Sequence, residues 1–210
     1  MNQIKMSLFM PPISPVKDNA SGRTVRPPTL KPLLSIGLQE VYQLITRNER
    51  LKTLTRAVRQ AAEEGDEKKY RMLKQHTLPY VTPCGVFSYR RSDKLIAPSG
   101  LVVVDIDHLD SQEEAERLKR QLFDDPLLTP ALVFTSPGGR GVKAFVPYGG
   151  TCATDPAQNA AENTYWAMNY IQAVYTPQAE SRDDKGVDPS GKDPARACFL
   201  SNDSRALIRL

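Results

Sequence analysis

A buried strand that ends in two acidic residues constrains the fold of this chain more than any other stretch. Residues 101–107 read Leu-Val-Val-Val-Asp-Ile-Asp, an apolar run rich in β-branched residues. Such a run is typical of a strand that is covered on both faces. Because alternate residues of a strand point to the same face, Asp105 and Asp107 are predicted to project together near its carboxyl end.

The paired acids predict a divalent metal ion. Two carboxylates placed about 6–7 Å apart by a strand repel each other unless a positive group lies between them. Mg²⁺ or Mn²⁺ with oxygen ligands fits this need, so Asp105 and Asp107 are candidate catalytic and metal-binding residues. The alternative is that the acids mark the end of the strand or cap the next helix, although a cap needs one acid and not two on one face.

A glycine-rich segment over residues 136–143 follows another short apolar run. It reads Ser-Pro-Gly-Gly-Arg-Gly-Val-Lys, and its glycines allow backbone N–H groups to approach a ligand closely. A hydroxyl and two cations accompany the glycines, and together they predict phosphate binding. The segment is not a P-loop, because GxxxxGK[ST] is absent and a strand follows; taken alone, it is also compatible with an ordinary hairpin turn. The candidate phosphate-binding residues are Ser136, Gly138, Gly139, Arg140 and Lys143.

A third segment, residues 188–196, precedes the last apolar run and reads Asp-Pro-Ser-Gly-Lys-Asp-Pro-Ala-Arg. Asp188 would supply a third catalytic carboxylate to one or two metal ions, and Asp193 is a further metal candidate. Arg196 would bind a phosphate or form a structural salt bridge with Asp188. The alternative is a structural turn rich in proline, glycine and aspartate.

The remaining pattern predicts an α+β fold. Residues 1–34 are rich in proline and predict an extended basic arm that docks or stays loose. Helical periodicity from Ser35 predicts a helical prelude through residue 80, with a second helix capped by Asp66. Residues 81–210 are predicted to form the core, a mainly antiparallel sheet with helices on one face, and residues 35–210 are expected to form one compact unit.

The core elements are predicted individually from apolar pattern and turn residues. Strands are predicted over residues 83–89, 101–107, 131–134, 142–147 and 197–201, and helices over residues 156–175 and from the Ser111 cap through Leu122.

The charge of the chain is concentrated near its start. The first 50 residues carry seven Lys and Arg against three acids, a net charge of +4, whereas residues 51–210 are neutral. A basic arm on a neutral body suits contact with nucleic acid, and an ordinary solvated leader is the alternative.

The cysteines and the apolar runs bear on location. Three cysteines and two histidines cannot form a Cys/His zinc set at ligand spacing, and so sparse a count fits a reducing cytoplasm. No apolar run approaches the roughly 20 residues of a membrane span, and prolines interrupt the start of the chain where a signal peptide would be apolar. We therefore expect a cytoplasmic protein with no membrane partner.

At its three motif segments the chain resembles the VirE N-terminal-domain family of the archaeo-eukaryotic primase (primase–polymerase) superfamily, found on bacterial mobile elements and phages. The resemblance covers roughly residues 65–205 and implies an RRM-like catalytic sheet. It implies that Asp105 and Asp107 are the metal ligands of the first motif and that Ser136, Gly139 and Lys143 form the second. Many active primases have histidine where this chain has Lys143. The third motif would supply Asp188, or Asp193 in its place, followed by Arg196.

The resemblance also implies a function. The domain would be a DNA-replication nucleotidyltransferase that uses Mg²⁺ or Mn²⁺ and binds nucleoside triphosphates together with single-stranded or template DNA. The basic arm and the helical prelude would contact the template. Related proteins often continue into a helicase or another replication domain.

A haloacid-dehalogenase-type phosphatase is a second interpretation of the same strand. It would use Asp105 as nucleophile and Asp107 as acid and base. Thr135 or Ser136 would form its second motif, and Asp183 and Asp184 would be its metal acids. Leu109 stands where such enzymes usually have Thr or Val, and the residues before Asp183 do not form a buried strand, so both features argue against it.

A non-catalytic nucleic-acid-binding module is a third interpretation. In this case the acids persist as a feature of the fold, and the sheet binds single strands by stacking bases on aromatic side chains. The candidate side chains are Phe87, Tyr89 and Phe145, although the same residues would also suit a core.

Overall fold

The computed structural model describes residues 4–18, 20–149, 155–176, 186–188, 191 and 193–209. These residues form an α+β fold with antiparallel sheets, as predicted. The helices are α1 (Leu38–Arg47), α2 (Glu49–Glu63), α3 (Glu67–Thr77), α4 (Gln112–Phe123) and α5 (Pro156–Tyr175), with a 3₁₀ turn at Ser92–Lys94. The strands are β1 (Lys5–Phe9), β2 (Val16–Lys17), β3 (Thr24–Arg26), β4 (Leu34–Gly37), β5 (Tyr80–Thr82), β6 (Gly85–Phe87), β7 (Leu95–Pro98), β8 (Leu101–Asp107), β9 (Leu132–Thr135), β10 (Val142–Pro147), β11 (Gly186–Val187), β12 (Cys198–Phe199) and β13 (Leu207–Ile208).

A five-stranded sheet carries the acidic strand. Its order is β11-β8-β10-β9-β13, and every neighbouring pair is antiparallel. Along the chain this unit runs β8-α4-β9-β10-α5-β11. When its four strands are numbered in chain order, they lie across the sheet as 4-1-3-2, which is the RRM-like arrangement expected for the core. Helices α4 and α5 cover one face, where Val102, Val104 and Ile106 of β8 meet Leu118 and Ile171.

The opposite face of β8 packs against a second layer. Leu101 and Val103 point into a separate core with residues of a four-stranded antiparallel sheet of order β12-β5-β1-β4 and of the N-terminal helices. The apolar part of β8 is therefore buried on both faces, as its composition predicted. Asp105 and Asp107 continue the face of Leu101 and Val103, so both acids lie on the side away from α4 and α5.

The N-terminal arm, which was predicted to dock or stay loose, docks over residues 5–9. These residues form β1, which lies between β4 and β5 in the second sheet, and Met6 and Phe9 are fully buried there. The Ser7 hydroxyl accepts a hydrogen bond from the Phe87 N–H at 2.8 Å. The prolines that suggested an arm come after this strand, beginning at Pro11, and do not interrupt its ladder.

The start of the helical prelude also differs from the prediction. Ser35 and Ile36 belong to strand β4, and α1 begins at Leu38. The single helix expected to run beyond residue 50 is broken at Asn48, whose side chain accepts the Leu51 N–H at 2.8 Å and so caps α2. Asp66 caps α3 as predicted, by accepting the Lys69 N–H at 2.9 Å.

Most core elements lie where they were predicted. The bounds of β8 and α5 match the predictions, and Ser111 caps α4. The segment expected as one strand at 83–89 is divided between a turn and β6, and the last predicted strand is β12, which pairs with β5 in the second sheet. Within the described part of the chain, no helix combines the length and the apolar character that crossing a membrane requires.

Candidate active site

The register of the five-stranded sheet aligns one residue from each of the three predicted segments. Lys143 of β10 lies directly opposite Asp105 of β8. On the other side of β8, the Asp188 N–H donates to the Asp105 carbonyl oxygen at 2.9 Å, which continues the β11 pairing by one residue. Because opposed residues of antiparallel strands share a face, this row carries two acids and a lysine on the side away from α4 and α5.

The next row brings the glycine-rich turn to Asp107. A Cβ atom placed on Gly141 would lie 3.0 Å from Asp107 Oδ1, 2.8 Å from Ser136 Oγ and 2.5 Å from the Ile106 carbonyl oxygen. Only glycine fits this close approach of two backbones. Ser136, which is buried, donates its N–H to the Gly141 carbonyl oxygen at 2.8 Å. The acid pair and the predicted phosphate-binding turn are therefore adjacent.

A buried ion pair occupies the centre of the site. Lys143 Nζ donates to Asp105 Oδ1, and the lysine side chain is only 3 % exposed. Burial alone would lower the pKa of Lys143, but the attraction of Asp105 and Asp107 outweighs it and leaves that pKa raised. The positive charge that the sequence analysis expected from a metal ion is thus supplied, at Asp105, by a side chain of the protein.

Asp107 is less fully compensated than Asp105. Burial and the neighbouring Asp105 raise the pKa of Asp107, while Lys143 and Lys74 oppose that shift. Among the described residues, none donates a hydrogen bond to this carboxylate. Asp107 is therefore the carboxylate of the pair that would gain most from a bound cation, and its hard oxygen donors suit Mg²⁺ or Mn²⁺.

The side chain of Asp188, the third predicted acid, forms an ion pair. Arg196 Nη2 donates to Asp188 Oδ2, the salt bridge that was one of the two roles considered for Arg196. Asp193 is exposed, and its Oδ1 accepts the Ser92 hydroxyl at 2.7 Å. Among the described residues, no group of three or more His, Cys, Asp or Glu side chains is arranged to hold a metal ion.

The glycine-rich turn is held between α2 and α3. Gly139 has a φ of +83°, a conformation that favours glycine. A Cβ on Gly138 would lie 3.2 Å from the Tyr70 hydroxyl of α3, and one on Gly139 would lie 3.6 Å from Arg59 Nε of α2. Arg140 is exposed at the tip of the turn.

Helix α3 contributes two residues that the sequence analysis did not assign to the site. Lys74 Nζ lies 5.5 Å from the ring centroid of Tyr70 and 5.6 Å from that of Phe199. Burial and the nearby Lys143 lower the pKa of Lys74, and burial together with Asp107 raises the pKa of Tyr70 to about 12. The one sequence signal for Lys74 was its i, i+4 spacing from Tyr70.

Of the further residues that the two alternative interpretations would use, only Ser136 is placed beside the acid pair among the described residues. Phe87 and Phe145 are fully buried, so the prediction that they form a base-stacking platform is wrong; Tyr89 is half-buried. The Thr135 hydroxyl donates to Asp203 at 2.9 Å rather than pointing to Asp105. Asp183 and Asp184, the metal acids of the phosphatase interpretation, lie outside the described residues, as does Cys152.

Fold and site together define an α+β domain in which a strand-borne acid pair lies against a glycine-rich turn and a buried lysine. The chain belongs to the family described as BT4734-like, N-terminal domain, whose model matches residues 72–207. This family is related to the VirE N-terminal domains that the chain was expected to resemble. Neither the comparison with curated proteins nor that with solved structures found a match. The matched segment begins within α3, so strands β1 to β4 and helices α1 and α2 precede it.

Proposed function

We propose that this protein is a primase–polymerase-like nucleotidyltransferase domain that binds a nucleoside triphosphate together with Mg²⁺ or Mn²⁺. The observation that carries the proposal is that Asp107 and Ser136 both lie against Gly141. A Cβ atom placed on Gly141 would be 3.0 Å from Asp107 Oδ1 and 2.8 Å from Ser136 Oγ. This adjacency places a metal-suited carboxylate beside a turn suited to phosphate. Phosphoryl and nucleotidyl transfer depend mainly on positioning and charge neutralisation, and these two features supply both.

The residues divide into two roles in this proposal. Asp105, Asp107 and Asp188 are the proposed catalytic metal ligands, with Asp193 in reserve. Ser136 and the glycines of the turn hold phosphate oxygens, assisted by Arg140, Lys143 and Arg196. When bound, the metal ion would neutralise phosphate charge and lower the pKa of the attacking hydroxyl. Asp105 would then contact both Lys143 and the metal ion, because Lys143 and Asp105 already form an ion pair.

DNA is the proposed second substrate, and the cytoplasm is the proposed location. The net charge of +4 in the first 50 residues supports contact with a polyanion. Much of this charge lies outside the buried strand β1, at exposed positions such as Arg23, Arg47 and Arg50. A helicase or other replication domain is the proposed partner in the replication of a mobile element.

One observation favours a second candidate, a non-catalytic nucleic-acid-binding domain. Two of the three proposed catalytic acids are already paired with cations of the chain, Asp105 with Lys143 and Asp188 with Arg196. A buried pair of this kind maintains the site without any metal ion. In this candidate the acids preserve the fold, and DNA binding is retained without transfer.

Nucleotide incorporation on a single-stranded DNA template separates the candidates. We expect incorporation with Mn²⁺ or Mg²⁺ by the wild type and a loss of roughly 10²-fold or more in Asp107→Asn, with DNA binding unchanged. Asp124→Asn, which alters an exposed acid at the end of α4, is the matched control and should incorporate nucleotides normally. DNA binding without incorporation by the wild type would favour the second candidate, and full activity in Asp107→Asn would contradict the proposed site.

A further inference from the structure

A polar cavity of about 140 Å³ lies beside the glycine-rich turn. Its walls come from α2, α4, the turn and the loop before β13, and they include Arg59, Glu116, Gly139 and Arg205. A wider groove of about 480 Å³ shares Arg59 with it and continues along α2 past Arg56. The cavity and the groove are therefore adjacent, and Arg59 lines both.

The guanidinium of Arg59 enters this cavity incompletely satisfied. Its Nη2 donates to the Asn202 carbonyl oxygen at 3.1 Å, but its buried Nε has no hydrogen-bond partner among the described residues. Burial lowers the pKa of Arg59, and the nearby Asp203 and Glu116 oppose that shift. A buried, unpaired N–H on a charged group is costly, so an acceptor in the cavity would be favoured.

The acids that line the cavity are already neutralised. Lys119 Nζ donates to Asp203 Oδ2 at 2.7 Å and to Glu116 Oε1 at 2.8 Å. Asp203 Oδ2 also accepts the Thr135 N–H at 2.9 Å, and Arg205 Nε lies 3.5 Å from Glu116 Oε2. Lys119 and Arg205 therefore offset Asp203 and Glu116, although the buried Glu116 Oε2 accepts no hydrogen bond among the described residues. Arg59 is also attracted by Glu63, so acids and cations balance here, and the group that would bind an anion is the unpaired Nε–H of Arg59.

Gly139 keeps the backbone of the turn open to this cation. A Cβ at this position would lie 3.6 Å from Arg59 Nε and 3.5 Å from Gln112 Nε2, so any side chain would fill the space between them. Gly139 is two residues from Gly141, which adjoins Asp107, and two residues span at most about 7 Å. A short polyanion could therefore extend from the acid pair along the turn to Arg59.

We infer that Arg59 and Arg205 form a subsite for the terminal phosphate of a nucleotide polyphosphate chain whose inner phosphates lie at the glycine-rich turn. This inference rests on the proposed function and names the substrate group that the cavity receives. Arg59 belongs to α2, which precedes the matched segment 72–207, so the family resemblance does not assign it this role.

Calorimetric titration of inorganic tripolyphosphate into the full chain tests the subsite without a nucleoside, DNA or metal ion. We expect binding by the wild type and a loss of roughly ten- to a hundredfold in affinity in Arg59→Gln. Arg71→Gln is the matched control, since it changes an exposed arginine of α3 that pairs with Glu67, and should bind like the wild type. Arg205→Gln should also weaken binding, and because its side chain is 67 % exposed the variant is expected to fold.

Several outcomes would overturn the inference. One is an absence of tripolyphosphate binding by the wild type, and another is equal binding by Arg59→Gln and Arg71→Gln. A third is a selective loss of single-stranded oligonucleotide binding in Arg59→Gln, which would show that the cavity binds a nucleic-acid strand. The proposed function is tested separately by Asp107→Asn. Arg59-dependent tripolyphosphate binding would support the subsite even if Asp107→Asn left metal-dependent nucleotide binding intact.

Discussion

The ion pair between Lys143 and Asp105 shows that a side chain of the protein can supply the positive charge that an acidic motif needs. Lys143 is almost fully buried and lies directly opposite Asp105 in the register of β8 and β10. Breaking a buried pair by removing one partner leaves an uncompensated charge, which is far more costly than replacing both partners. The pair therefore stabilises a site that would otherwise hold two neighbouring negative charges.

We predict that Lys143→Met lowers the free energy of unfolding by about 3–5 kcal/mol, because Asp105 and Asp107 then lack their buried cation. Mn²⁺ should raise the unfolding temperature of this variant more than that of the wild type, since the metal can replace the lost charge. Thermal unfolding with and without Mn²⁺ measures both effects. The double variant Asp105→Asn/Lys143→Met is the control and should lose less than the sum of the single variants; simple additivity would contradict the pairing.

Sequence reasoning identified the acids and Lys143 but not their relation. The need for a positive charge between Asp105 and Asp107 followed from their shared face, and a metal ion was the expected answer. That Lys143 lies opposite Asp105 depends on the pairing of β10 with β8, two strands that are separated along the chain by α4 and β9. Lys74 and Tyr70 were missed because a cation and an aromatic residue on a helix do not reveal which element the helix packs against.

At the scale of elements, a network around Asp203 joins α4, β9 and the loop before β13. Asp203 accepts hydrogen bonds from Lys119 and Thr135. Burial alone would raise the pKa of Asp203, but these bonds, with Lys119 foremost, hold it below its ordinary value of 3.8. A lowered pKa in the folded state means that the charged carboxylate stabilises the fold above pH 3.8 and that this contribution is lost as the pH falls through the lowered pKa.

We predict that Asp203→Asn lowers the free energy of unfolding by about 3 kcal/mol at pH 7 and that the difference from the wild type shrinks as the pH falls below 4. Urea unfolding at pH 7, 5 and 3 measures this dependence. The exposed Asp124→Asn should differ little from the wild type at each pH. A difference for Asp203→Asn that is constant over this range would show that its charge is not the stabilising factor.

The hairpin between β9 and β10 is the second element-scale test. We predict that Gly141→Ala destabilises the fold by about 1–3 kcal/mol and weakens metal-dependent nucleotide binding, because its Cβ would lie 2.5 Å from the Ile106 carbonyl oxygen and force β10 away from Asp107. Gly149→Ala, where nothing lies within 4 Å of the added atom, is the matched control. Chemical unfolding and calorimetry compare the two, and equal behaviour would contradict the close packing described at the turn.

At the scale of the whole molecule, the domain includes more of the chain than the matched family segment. Strand β1 pairs with both β4 and β5, and the stacked rings of Phe9 and Tyr80 lie 5.0 Å apart in the core between the sheets. Helices α2 and α3 also hold the glycine-rich turn from two sides. The N-terminal segment is therefore part of the structural unit that forms the site.

We predict that Phe9→Ala lowers the free energy of unfolding by about 3–5 kcal/mol, since Phe9 is fully buried. Val25→Ala, at a position 61 % exposed on β3, should change stability by less than about 0.5 kcal/mol. Urea unfolding measures both variants. A fragment of residues 72–210, which lacks β1, should show no cooperative transition, and a cooperative transition in that fragment would contradict the role of β1.

The sequence was sufficient for the α+β class and for the unit formed by β8, α4, β9, β10 and α5, because each of these elements has a clear apolar pattern and a capping or turn residue. It was insufficient for the second sheet. The pattern of β1 covers five residues and is followed by prolines, and the strand character of Ile36 was hidden by the helical spacing that continues after it. Pairings between strands far apart in the chain leave little local signal.

The central claim is that Asp107 and the glycine-rich turn form one metal-dependent nucleotide site. The most direct measurement is calorimetric titration of a nucleoside triphosphate with Mn²⁺ into the wild type, Asp107→Asn and the exposed control Asp124→Asn. The account predicts Mn²⁺-dependent binding by the wild type and the control and its loss in Asp107→Asn. Equal binding by Asp107→Asn, or no binding by the wild type, would contradict it.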